Sequence, residues 1–358
     1  MSSTFGNKIK ISIFGQSHAE GLGVVIDGLP AGEKIDIEKI NEFLARRAPG
    51  GKGAFSTTRK ESDIPKILSG LLDGYTCGAP LCAIFENNDT RSKDYSKLKD
   101  IPRPAHADFP AAVKHSGFND IRGGGHFSAR LTLPLCFAGA VCKQILERKG
   151  IFIGAHILSI GEISDYNFSK ADVNKEDFSK VLNNTLPVIN EEAGKKMEKL
   201  FEIVRMQGDS IGGKIECAIV GMPIGIGEPM FDGIENRISS AVFAVPAVKG
   251  IEFGAGFEVS NMLGSENNDA FYIENGEVKT KTNNHGGILG GLSSGMPIIF
   301  DVAMKPTPSI HKEQDSVSLS KKEDTKLVIE GRHDVCIVPR AVPCIEAAAA
   351  IAICDMIL

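Results

Sequence analysis

The chain has 358 residues, 42% of them hydrophobic and 24% charged, with a formal net charge of −5. That is long enough to bury a large core and ordinary in composition, which excludes a disordered or fibrous chain. The acidic balance argues against a nucleic-acid-binding surface spread over the molecule.

In chain order, NKIKISIFG (7–15) alternates polar and apolar residues and stops at Gly15, which predicts a strand. GVVIDGLP (23–30) predicts a second strand closed by a turn. DIEKINEFLARR (36–47) puts Ile37, Ile40, Phe43 and Leu44 on one helical face. PGGKGAFSTTRKE (49–61) reads as a basic glycine loop, and 65–74 and 79–89 as two more strands. HFSARLTLPLCFAGAVCKQILERKG (126–150) predicts one long apolar helix ended by Gly150. Residues 160–200 are polar and lysine-rich and read as a surface excursion. GGKIECAIVG (212–221) then repeats the character of the first strand. GIENRISSAVFAVPAVKG (233–250) repeats that of the first helix, a strand–helix echo of the first half. Residues 293–306 predict a strand into a Lys-Pro turn, and 311–326 a mobile loop. Val335–Val338 reads as a short buried strand, and the chain ends in a helix apolar nearly all round, destined for a core or an interface. With no linker in view, the expectation is a single α+β domain over residues 1–358.

The eight cysteines form no CxxC pair, and most stand in apolar surroundings, as buried free thiols do in a reducing compartment. The N-terminus lacks an apolar signal core, and no run reaches the ~18 apolar residues of a membrane span. The expected location is the cytoplasm.

Charge is uneven. Arg46, Arg47, Lys52, Arg59 and Lys60 stand together with no acid among them, and residues 103–130 are rich in arginine and histidine. Local basic patches on an acidic chain point to a small anionic ligand. Four stretches carry candidate chemistry. In FGQSHAEG (14–21), Ser17 and His18 occupy a glycine-bracketed turn after a strand. As adjacent residues their side chains are expected to diverge, so the pair reads as turn-capping rather than as a catalytic dyad. In RPAHADF (103–109), a proline holds Arg103, His106 and Asp108 close; histidine titrates near neutral pH and arginine suits an anion. In DIRGGGHFSAR (120–130), three glycines ahead of the long helix offer backbone N–H groups and a positive helix end to a phosphate. The fourth is EGRHDVCIVPRAVP (330–343), with NNHGGILGG and KPTPSI upstream. The histidines lack metal-ligand spacing, so no metal is expected. Residue chemistry alone reaches an enzyme for a small phosphorylated or carboxylated anion and does not name the reaction.

Lined up in order, these stretches resemble the chorismate synthase family across nearly the whole chain. GQSH resembles the family's Gly-Glu-Ser-His, and RPAHAD its Arg-Pro-Gly-His-Ala-Asp. RGGGHFSAR, GDSIGGK, GEPMFD, NHGGILGG, KPTPSI and GRHDVCIVPRAVP follow collinearly. The resemblance implies a β-α-β sandwich assembled as a homotetramer. It implies conversion of 5-enolpyruvylshikimate 3-phosphate to chorismate and phosphate, the last step of the shikimate pathway, by an anti 1,4-elimination that requires reduced FMN. It implies His18, His106 and Asp334 as catalytic residues and Arg47, Arg103, Arg130 and Arg340 as substrate ligands. Flavin contacts would fall at His126, Phe127, Ser128, Pro246, Ala247, Gly290, Lys305, Pro306, Thr307, Pro308, Ser309 and Arg332. His333 receives no role and is expected to be a structural neighbour. Arg47 is also where bifunctional members touch NADP, so NADPH is a reductant only if this chain is bifunctional. Here Gln16 replaces the family's Glu, Ala105 replaces Gly, and ARRAPGGKG (45–53) lacks one frequent arginine and carries lysine for another. These departures bear on the nicotinamide contact more than on the elimination. They point to a monofunctional enzyme fed by an external flavin reductase. The alternatives are another FMN enzyme, such as a flavin reductase itself, and an RNA-binding module.

Overall fold

The computed structural model describes residues 3–48, 63–87, 98–329, 331 and 333–358. Two antiparallel five-stranded sheets enclose a layer of helices. The first sheet has the order β1 (Thr4–Phe5), β2 (Lys10–Gly15), β3 (Gly21–Asp27), β7 (Leu81–Glu86), β4 (Lys66–Ser69). Register pairs Lys10 with Asp27 and Gly15 with Leu22. That places Ile11, Leu22, Val24 and Ile26 in the core and opens the β2–β3 turn at one sheet end. A small hairpin, β5 (Leu71–Leu72) and β6 (Tyr75–Thr76), extends from β4. The second sheet has the order β11 (Val248–Phe253), β16 (Ile298–Met304), β10 (Gly213–Val220), β8 (Phe152–Ile160), β9 (Ile163–Ser164).

Between the sheets lie α1 (Ile37–Arg47), α3 (Thr132–Arg148), α6 (Ile234–Val242) and α8 (Val338–Ile357). Asp36 caps α1, its carboxylate accepting from the N–H groups of Glu38 and Lys39. Apart from Arg340, the terminal helix α8 is buried from Val338 to Asp355 and packs on α3, so its nearly all-round apolarity is that of a core element. Small residues let the two helices approach. A Cβ placed on Gly139 of α3 would lie 2.2 Å from the Ala347 Cβ of α8. Charge is admitted to this layer only when paired. Burial opposes ionisation of Glu346, but Arg46 and Lys143 outweigh it and hold its pKa at about 2. The stretch Ala129–Arg148 is long and apolar enough to cross a membrane by composition, yet most of it is buried in this layer.

Four local expectations change. Residues 160–200 are not a loose excursion: α4 (Lys175–Leu182) and α5 (Glu191–Met206) fold there. Phe168, Phe178 and Val181 cover Ala218 and Ile299 on the outer face of the second sheet. Residues 311–326 form most of a hairpin, β17 (Gln314–Ser318) with β18 (Glu323–Leu327), whose polar outer face imitates a loop in sequence. Val335–Val338 is not a strand: an irregular bend leads directly into α8, with Pro339 in its first turn, where a missing N–H costs nothing. Finally, the long helix starts at Thr132 rather than at His126, because Ser128 is extended, with ψ of 143°, and a tight turn over Ala129–Leu131 intervenes. The remaining elements are α2 (Asp108–Lys114), α7 (Gly264–Asn267) and the hairpins β12 (Phe271–Glu274)–β13 (Glu277–Thr280) and β14 (Ile288–Leu289)–β15 (Leu292–Ser293).

Candidate active site

A cleft of about 370 Å³ opens where the end of α1, the segment before α2, the glycine run before α3, the segment after α6, the stretch after β16 and the start of α8 converge. Its size suits a small-molecule site. Arg47, Arg103, Arg130, Arg340 and Lys305 line it, with His106 and Asp334. Residues far apart in sequence meet because each sits at an end of an element anchored in the sandwich.

Gly123, Gly124 and Gly125 adopt φ of +59°, +84° and +55°. They do not sit at a helix end, so the expected helix-dipole phosphate site is absent there. Their smallness serves close approach instead. A Cβ on Gly123 would lie 2.3 Å from the His18 ring, and one on Gly124 would lie 3.2 Å from the His106 ring. Each of the two candidate histidines thus packs against one glycine of the same run. The turn is tied to it by the Ser17 N–H, which donates to the Gly125 carbonyl at 3.1 Å. His18 is buried, and its Nδ1 lies 3.1 Å from the Ser17 hydroxyl. The two side chains were expected to diverge as on a strand; they meet because the chain has already turned.

His106 belongs to a tight cluster. Asp108 Oδ1 is 2.6 Å from His106 Nδ1, and Arg103 donates Nε and Nη2 to the same carboxylate at 2.7 and 2.8 Å. Burial works against ionisation of Asp108. Hydrogen bonds from Arg103 and His106 outweigh it and hold the carboxyl well below the usual range. A carboxylate at Nδ1 favours a proton there, while Arg103 Nη2 lies 3.2 Å from Nε2 on the cleft side. Arg103 also reaches the Ser309 hydroxyl at 3.4 Å.

The remaining cations are held from behind. Arg47 donates Nη1 to Asp63 at 2.9 Å and Nε to Thr132 at 3.1 Å. Arg130 donates Nη1 to the other oxygen of Asp63 at 2.5 Å. Arg340 pairs with Asp334 and donates Nε to the Arg47 carbonyl at 3.0 Å. Lys305 donates to the Ala105 carbonyl at 2.9 Å; burial, then repulsion from Lys249, lowers its pKa.

Of the expected flavin contacts, Phe127, Ser128, Pro246, Ala247, Lys305, Thr307, Pro308 and Ser309 line the cleft. Pro306 and His18 are not among the lining residues, although His18 lies against Gly123, which is. His126 is turned away: its Nδ1 lies 2.8 Å from the Gly15 carbonyl and its Nε2 2.7 Å from the Ser3 hydroxyl. Gly290 lies outside the lining, in the β14–β15 hairpin. Arg332 and the loop around Lys52 fall outside the described residues. His333, expected only as a structural neighbour, lines the cleft beside Asp334, with its ring 5.9 Å from that of His311. Sequence reading missed Asp63 and Asn87, two ordinary polar residues whose partners lie up to 71 positions away.

A two-sheet sandwich with a cationic, histidine-bearing cleft at its sheet ends defines an enzyme acting on a small anionic substrate. The family described as chorismate synthase matches residues 9–358. The chain is 48% identical to the chorismate synthase of Lancefieldella parvula, an alignment covering 99% of this chain and 96% of that one. It is 45% identical to the chorismate synthase of Pyrococcus abyssi, covering 99% and 97%. A solved structure titled "Crystal Structure of Chorismate Synthase" superposes with a TM-score of 0.78 at 28% identity, covering 99% of this chain and 93% of that one. The chain belongs to the chorismate synthase family and is a lyase; a flavin reductase is not favoured.

Proposed function

We propose that the cleft converts 5-enolpyruvylshikimate 3-phosphate to chorismate and phosphate by anti 1,4-elimination, with reduced FMN as cofactor. The observation that carries this reading is the convergence of Arg47, Arg103, Arg130, Arg340 and Lys305 on one cleft beside His106 and Asp334. A substrate with two carboxylates and a phosphate is held by such guanidinium forks, which orient as well as attract. The flavin fits the same walls. Phe127, Pro246, Ala247, Pro308 and Ile337 offer apolar surface to a flat ring, and Lys305 offers a cation to its phosphate or its electron-rich reduced form.

Reduced FMN supplies electron density that eases departure of the phosphate. The arginines hold the ring in register and exclude water. His106, its Nδ1 fixed by Asp108 and its Nε2 beside Arg103, is placed to assist at the phosphate end or the flavin. His18, seated on Gly123, holds a proton on the flavin side. Asp334, paired with Arg340, accepts the proton that the ring loses.

The commitment of Arg47 to Asp63 and Thr132 supports a role in the substrate cleft rather than in a nicotinamide contact. The protein is accordingly monofunctional and draws reduced FMN from an external reductase in the cytoplasm, without nucleic-acid or membrane partners. The homotetramer that the family resemblance implies would have apolar side chains such as Phe257, Phe271 and Ile273 to cover, and sedimentation checks it. Anaerobic incubation of the protein with chemically reduced FMN and substrate is the test of activity. Equimolar chorismate and phosphate are expected; folded protein that releases neither overturns the proposal. NADPH alone is expected not to reduce bound FMN.

A further inference from the structure

Two arginines of the cleft share one buried carboxylate. Asp63 is 8% exposed, and its two oxygens separate the guanidinium of Arg47, at 2.9 Å, from that of Arg130, at 2.5 Å. Its backbone holds φ of +46°, a left-handed geometry that aspartate tolerates better than most residues. Each arginine has a second anchor. Arg47 Nε donates to the Thr132 hydroxyl at the start of α3, and Arg130 Nε donates to Asn87 Oδ1 at 3.3 Å. Asn87 in turn donates its amide to the carbonyls of Gln16 at 3.0 Å and Ala19 at 2.9 Å. Those carbonyls bracket Ser17 and His18. One polar chain therefore runs from the β2–β3 turn through Asn87, Arg130 and Asp63 to Arg47 and α3.

We propose that Asp63 is a positioning residue for the elimination: it fixes Arg47 and Arg130 at the spacing at which both meet the anionic substrate, and, through Asn87, sets that pair relative to His18. The inference rests on the function proposed for the cleft. The chemistry is that of a shared acceptor. A free arginine samples many rotamers, and holding two forks on one carboxylate orders both before substrate arrives. Asp63 also lowers the net charge of the pair without facing the ligand. Removing its charge leaves the attraction for anions intact or stronger while releasing the geometry. Attraction and alignment can thus be measured apart.

The test compares Asp63→Asn with wild-type protein in the anaerobic assay, with inorganic phosphate as a competing anion. For Asp63→Asn, kcat at saturating substrate is expected to fall at least 10-fold, while phosphate inhibits at the same or a lower concentration. A variant with wild-type kcat, or one in which phosphate inhibition weakens in parallel with kcat, overturns the assignment. The second of these marks general collapse of the cleft. Asp63→Glu keeps the charge and moves the carboxylate by one methylene. It is expected to melt close to wild type with kcat still reduced at least 10-fold; wild-type kcat there shows that charge alone suffices and also overturns the proposal. If neither variant folds, Asp63 serves stability and the proposal fails. Wild-type protein that does not turn over refutes the proposed function itself, a result separate from any of these.

Discussion

Replacing Gly123 with alanine tests the contact that links the glycine run to His18. The added Cβ would lie 2.3 Å from both Cε1 and Nδ1 of His18 and 2.6 Å from the Ser17 hydroxyl, at a backbone φ of +59°. Two costs follow. Alanine in the left-handed region costs about 1–2 kcal/mol, offset by roughly 0.4–1 kcal/mol from the stiffer unfolded chain. The net of about 1 kcal/mol corresponds to a melting shift of ~1–2 °C at the usual unfolding entropy per residue. The overlap with His18 is the larger effect. A Cβ comes no closer than about 3.4 Å to most neighbours, so the ring must give way by roughly 1 Å, a misplacement that can cost on the order of 10²-fold in rate. Gly32 supplies the control, with φ of +86° and nothing within 4 Å of an added Cβ. Gly32→Ala carries the backbone cost alone. Anaerobic turnover and thermal melting of both variants are the assay. Gly123→Ala is expected to lose at least 10-fold in turnover, and Gly32→Ala to lose none. Equal turnover in the two would refute the reasoning that Gly123 exists to seat His18.

His18→Ala and His106→Ala are each expected to lower turnover on the order of 10²-fold with melting within a few degrees of wild type, whereas Asp334→Asn keeps FMN affinity, read by flavin fluorescence, and slows turnover ~10-fold or more. Near-wild-type rates would remove the proton-transfer roles. Ala105 holds φ of +57°, a left-handed backbone that glycine adopts without strain, so Ala105→Gly is expected to stabilise by ~0.5–1 kcal/mol; an unchanged or lower melting temperature would show no strain there. Asp301 faces Glu216 and Glu252 across β10 and β11 in register. Burial first, then those two carboxylates, pushes its pKa up from 3.8 to about 7. As pH rises from ~4 to 7 the unfolded chain releases this proton while the folded chain keeps it, so stability falls across that window. Asp301→Asn removes the loss. It is expected to raise stability by ~1–3 kcal/mol at pH 8 and by little at pH 4; equal shifts at both pH values would contradict the assignment.

The periodic elements are legible in the sequence. Ile11, Val24 and Ile26 alternate on strands, and Ile40, Phe43 and Leu44 repeat at helical spacing, because burial on one face imposes a period that sequence records. The nearly all-apolar α8 announces a buried helix for the same reason. Among the site residues, Arg103, His106 and Asp108 were visible together because six consecutive positions carry them. The 311–326 segment was misread because a two-stranded ribbon with little core contact leaves no hydrophobic period to find. The lead-in to α8 was misread because Val335 and Cys336 are buried by tertiary packing in irregular backbone, which apolarity alone cannot distinguish from a strand.

By itself, then, the sequence determined the layers, the apolar faces and a set of cations and histidines whose order matches one family. Tertiary structure alone decided which carboxylate holds which cation. Asp63 meets Arg47 and Arg130 from 16 and 67 positions away, and Asn87 reaches back 71 positions to Gln16. Tertiary structure also turned the glycine run from an expected helix-end phosphate site into the seat of two histidines. The physical reason is common to both. Charge pairing and close approach depend on distances across the fold, and no local periodicity encodes a distance between chain segments that meet only after the sheets and helices have packed.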